Sequence, residues 1–70
     1  MALSENLRAA RLNSGMTLKQ VADRIGVLPG AVNKWEFGTR VPNGIDLVKL
    51  ANIFETTAET LVTGKITERI

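Results

Sequence analysis

The chain has 70 residues with neither cysteine nor histidine, so it holds one domain at most, and disulfides, thiolate or imidazole metal sites and histidine-dependent catalytic triads are excluded. No apolar run approaches the roughly 18 residues that span a bilayer, and the N-terminus lacks a basic segment followed by an apolar one, which reads as a cytoplasmic protein. The net charge of +2 is unevenly spread: residues 1–42 carry six Lys and Arg against three acids, and the remainder carries three against four.

In chain order, the breaks predict five short helices and a compact all-α bundle. Ser4 is positioned to cap a first helix from about Glu5 to Ser14, with Leu7, Ala10 and Ser14 on one face and Gly15 as the left-handed residue that ends it. Thr17 and Gln20 have the spacing of a capping box, and Met16 and Val21 that of a hydrophobic staple. The second helix therefore runs from Leu18 to Ile25, and Gly26 closes it. Pro29 opens the third, because its fixed φ suits the first turn and its missing N–H costs nothing there. Gly38 ends it, with Val32 and Trp35 inward and Asn33, Lys34 and Phe37 turned elsewhere.

Pro42-Asn43-Gly44 is the next break. Asn43 caps a fourth helix reaching about Phe54, Asp46 favours its positive dipole end, and Leu47, Leu50, Ala51 and Phe54 recur at core spacing. Thr57 caps a last helix to Thr63, with Gly64 at its end. Residues 1–64 thus form the domain, and the tail 65–70 either frays or serves dimerisation.

The stretch from Leu18 to Phe37 has the pattern of a helix-turn-helix: a short helix, a three-residue turn with glycine and a second helix crossing the first. Ala22 is small where that crossing is close, Gly26 permits the turn, and Val21, Ile25, Val27, Val32 and Trp35 fill the shared interior. A rigid unit of this kind fits a helix into the major groove of DNA.

Asn6-Leu7-Arg8, Met16-Thr17-Leu18-Lys19-Gln20-Val21-Ala22, Ile25-Gly26-Val27, Val32-Asn33-Lys34-Trp35-Glu36 and Gly38 resemble the Cro and phage-repressor (XRE-type) family, and Pro42, Leu47, Leu50-Ala51 and Phe54 continue the match. The resemblance implies a lambda-repressor-like fold of five helices with recognition helix 29–37 in the major groove. It places Pro29, Gly30, Asn33 and Lys34 against bases, and Lys19, Gln20, Thr39 and Arg40 against phosphates. Arg11 and Glu36 match an ion pair that joins two helices in relatives. The chain departs from the pattern at Pro29 and Gly30, whose side chains cannot hydrogen-bond a base, leaving Asn33 and Lys34 as the main readers. Leu28 or Pro29 can instead touch thymine methyls, and Gly30 lets the backbone come close. Leu18 stands where relatives often carry a glutamine phosphate clamp, a role left to Lys19 or Gln20.

Other residues read more plainly. Trp35 belongs to the core by its spacing from Val32, Phe37 to the surface or an interface, and Arg8, Arg24 and Lys49 to solvated faces. No catalytic constellation, metal site or cofactor motif is present, so the chain is not read as an enzyme. Two functions remain. One is a sequence-specific transcriptional repressor or regulator of bacterial or phage origin, a homodimer on a palindromic double-stranded DNA operator. Its dimer surface is helix five with the tail, through Leu61, Val62, Ile66 and Ile70, or else Leu61 belongs to the core and the tail simply frays. The other is a protein-interaction module, such as an antitoxin or regulatory domain, with secondary DNA affinity.

Overall fold

The computed structural model describes residues 2–64, folded as α1 (Leu3–Asn13), α2 (Leu18–Ile25), α3 (Pro29–Phe37), α4 (Gly44–Ile53) and α5 (Ala58–Thr63). The tail 65–70, with Ile66 and Ile70, lies outside the described residues. Among the described residues there is no strand, and no helix is long and apolar enough to cross a membrane.

α2 starts where its capping box requires. The Thr17 hydroxyl accepts from the Gln20 N–H at 3.1 Å, and the Thr17 N–H donates to Gln20 Oε1 at 2.9 Å. Asn43 and Thr57 cap α4 and α5 in the simpler way, accepting from the N–H groups of Asp46 and Thr60. Gly26, at φ 81°, ends α2 in the left-handed region that a Cβ would strain.

α1 departs from the sequence reading. It begins two residues earlier than the Glu5 expected, its N-cap is Ala2 with no side-chain hydrogen bond, and Ser4 lies inside the helix. The cause is tertiary: Leu3 packs against the core, so the helix extends to bring it there, and Ser4 faces the far end of α3, where a Cβ on Gly38 would lie 3.4 Å from its hydroxyl.

The buried core is Leu7, Val21, Ala22, Ile25, Val32, Trp35, Leu50, Ala51 and Leu61. Leu47 and Phe54 are partly buried and pack against it. α3 packs on α1 and α2, α4 on α2 and α5, and α5 on α1. Ala22 is fully buried, and its lack of bulk lets the α2 and α3 backbones approach. The α1 to α5 contact is also tied by a hydrogen bond from Asn6 Nδ2 to the Leu61 carbonyl, 2.8 Å across 55 positions of sequence.

Candidate nucleic-acid interface

α2 and α3 form one rigid pair because Val21 and Ile25 of the first and Val32 and Trp35 of the second belong to a single core cluster, with Val27 of the turn packed against it. Burying Val32 and Trp35 fixes the rotation of α3 about its axis, so Gly30, Asn33, Lys34 and Phe37 share the outer face. Pro29, Gly30, Asn33 and Lys34 are all exposed. The Asn33 and Lys34 side chains have no hydrogen-bond or ion-pair partner among the described residues. Asn33 offers a carbonyl and two N–H donors, and Lys34 three donors and a charge.

Lys19 and Gln20, on α2, and Thr39 and Arg40, after α3, are exposed too, but most of them are engaged. Lys19 pairs with Asp23 one turn on at 3.0 Å, a solvated contact of small worth that yields readily to another anion. Gln20 spends its carbonyl oxygen on the capping box and keeps its amide N–H groups for a ligand. That box takes the N–H groups of Thr17 and Gln20 and leaves those of Leu18 and Lys19 as the orphan donors of the helix start. Beyond α3, the N–H groups of Gly38, Thr39 and Arg40 donate to the Lys34 carbonyl at 3.0, 3.1 and 3.4 Å, and the Thr39 hydroxyl joins them at 3.3 Å. This backbone is therefore turned inward. Only the Arg40 side chain, and the Thr39 hydroxyl on leaving its long bond, remain to donate outward.

The Arg11 and Glu36 side chains form a two-pronged ion pair between α1 and α3: Nε donates to Oε2 at 2.7 Å and the second terminal nitrogen to Oε1 at 3.1 Å. The remaining terminal nitrogen donates to the Met16 carbonyl at 3.0 Å, so the guanidinium also closes the α1 to α2 turn. Both side chains are largely buried, at 13% and 8% exposure. The hydrogen bond from Glu36, more than its charge, raises the Arg11 pKa above its ordinary value against the opposing effect of burial.

Two features were not read from the sequence. Arg8, assigned to a solvated face, lines a surface cleft together with Leu18, Asn33 and Phe37, which puts a cation from α1 beside the outer face of α3. Helical spacing along α1 shows only that Arg8 points away from Leu7, not what lies opposite. Leu18, in the place of the missing clamp, is partly buried against the core while lining the same cleft.

A protein-family profile described as helix-turn-helix matches residues 7–61. The transcriptional regulator YqaE of Bacillus subtilis (strain 168), described as HTH-type, is 30% identical over 67 residues, covering 96% of this chain and 58% of its own length. The HTH-type transcriptional activator BcrR of Enterococcus faecalis is 31% identical over 65 residues, covering 93% of this chain and 32% of its own length. The chain thus spans less than two thirds of each of these relatives. Among solved structures, the P22 c2 repressor protein in complex with synthetic operator 9T superposes with a TM-score of 0.88 at 25% identity, over 93% of this chain and 98% of that one. The N-terminal DNA-binding domain of SinR from Bacillus subtilis shares the fold with a TM-score of 0.75 at 18% identity, over 96% of each chain.

Proposed function

Because the chain belongs to the helix-turn-helix family of the Cro and phage-repressor type, we propose that it is a sequence-specific DNA-binding transcriptional repressor or regulator of the cytoplasm, reading double-stranded DNA with α3 in the major groove. The observation that carries this is the outer face of α3: Asn33 and Lys34 are exposed and, among the described residues, their side chains have no partner, on a helix whose rotation is fixed by Val32 and Trp35. Asn33 pairs with adenine N6 and N7, and Lys34 with guanine O6 or N7, each worth about 1–3 kcal/mol of discrimination. Gly30 and Pro29 bring the helix backbone close. Lys19, Gln20, Thr39 and Arg40 hold the phosphates, joined by Arg8 and by the orphan N–H groups at the start of α2.

The operator is palindromic and the protein acts as a homodimer, with half-sites about 34 Å apart. Helix five gives that dimer little surface: Leu61 is buried, and Val62 is 46% exposed. Ile45 and Val48, one turn apart on the outer face of α4 at 70% and 53% exposure, offer a larger apolar surface, and Val41 at 72% leads into it. We assign the contact between copies there.

Selection of binding sites from a random DNA pool, with Asn33→Ala and Lys34→Ala run beside the parent, tests the reading. One enriched palindrome, degenerate at the positions each substitution frees, is the expected result. A folded parent that enriches no sequence would move the α3 face to a protein partner, the interaction-module reading.

A further inference from the structure

The cleft that Arg8 shares with the outer face of α3 holds groups that the fold itself leaves unused. Arg8 and Asn33 are exposed, and neither side chain makes a hydrogen bond or ion pair among the described residues. Phe37, in the last turn of α3, is 76% exposed, although burying an aromatic ring is among the larger gains open to a small domain. Leu18, partly buried, completes the apolar lining.

The other two side chains of the cleft, Arg11 and Glu36, are spent on each other. Their pair neutralises the Glu36 carboxylate and pins α1 to α3, so the cleft is formed before any ligand arrives. What remains is one uncompensated positive charge, one free amide and two apolar side chains around a volume of about 290 Å³. A cavity of about 150 Å³ takes up benzene, so this one has room for a ring and a short acid arm.

We propose that this cleft is an effector site for a single-ring aromatic carboxylate, with its ring against Phe37 and Leu18 and its carboxylate on Arg8 and the Asn33 amide, and that its occupation releases the protein from DNA. The release rests on the DNA-binding reading; the site does not. Charge and apolar area select the ligand together. A small inorganic anion satisfies Arg8 and leaves Phe37 in water, and a neutral ring covers Phe37 and leaves Arg8 without a counter-charge. Arg8 and Asn33 are also the proposed contacts to phosphate and base, so ligand and DNA compete for the same side chains and no conformational change is needed to couple them.

Phenylacetate is the probe, with acetate as the same acid without its ring and 2-phenylethanol as the same ring without its charge. The free protein is titrated with each and followed by proton–nitrogen NMR. The expected result is saturable shifts centred on Arg8, Leu18, Asn33 and Phe37 with phenylacetate, and binding about tenfold weaker for either fragment. Arg8→Ala and Phe37→Ala each weaken phenylacetate about tenfold, whereas Arg24→Ala, which removes an exposed cation outside the cleft, binds as the parent does. The dispersion of the same spectra shows that each variant is folded. On the enriched operator, phenylacetate weakens the parent more than an equal concentration of acetate, which controls for ionic strength, and Phe37→Ala does not distinguish the two acids. Shifts that do not saturate, or a phenylacetate affinity unchanged in both Arg8→Ala and Phe37→Ala, overturn the site. Equal effects of the two acids on DNA binding by the parent overturn the release. If no operator is enriched, the DNA-binding reading and the release fall together, while the titration of the free protein still decides the site.

Discussion

Removing the Glu36 carboxylate strands a guanidinium held at 13% exposure between two helices. Arg11 keeps its bond to the Met16 carbonyl, but one neutral acceptor does not replace a carboxylate, so Glu36→Ala is expected to cost about 3 kcal/mol in chemical denaturation. Replacing both partners together, as Arg11→Met with Glu36→Leu, is expected to recover most of that loss, because the desolvation of both charges disappears with them. The raised pKa of Arg11 has a simple sign: stability from the pair is fully present below the ordinary arginine value and is lost only as pH rises past the still higher folded one. Deprotonation of Arg11 therefore does not weaken the domain anywhere in the neutral range.

At the scale of the helix, caps separate what holds the fold from what serves the site. Thr17→Ala deletes one half of the α2 capping box and is expected to destabilise by about 1 kcal/mol, whereas Leu28→Ser supplies α3 with the side-chain cap that its N-cap Leu28 lacks and is expected to stabilise by roughly 0.5–1 kcal/mol. Thermal melts of the two variants check both signs, and destabilisation by Leu28→Ser would show that the leucine serves the fold. The same contrast explains what the sequence disclosed. The bounds of α2, α3 and α5 were legible because Thr17, Pro29 and Thr57 mark their starts and Gly26, Gly38 and Gly64 their ends, all signals carried within a turn of chain. The start of α1 was not, since Ser4 looks like a cap and only the packing of Leu3 on a distant core places it inside the helix. The same limit applied to the site. Asn33 and Lys34 follow from periodicity within one helix, but the cleft that Arg8 shares with Asn33 forms only when α1 and α3 meet, and the inward turn of the Thr39 and Arg40 backbone depends on how α3 ends.

For the whole molecule, the net charge of +2 conceals six Lys and Arg against three acids over residues 1–42, and the proposed DNA binding is expected to draw on that excess. If Arg8, Lys19 and Arg40 each neutralise a phosphate in both copies of a dimer, log K against log salt falls with a slope of about −5, and Arg40→Ala makes it shallower by about 2. Titrations over a series of salt concentrations check this, and a slope near zero would remove these cations from the interface. Lys19 must leave Asp23 to contribute, so Asp23→Asn is a useful companion that frees it without touching the groove.

The hydrogen bond from Asn6 to Leu61 joins the first helix to the last over 55 positions of chain, and this sets an order of assembly. Closing so long a loop costs more entropy than any contact within residues 18–37, where α2 and α3 meet across a short turn. The α2–α3 pair is thus expected to form first, with the α1 to α5 seam closing behind it.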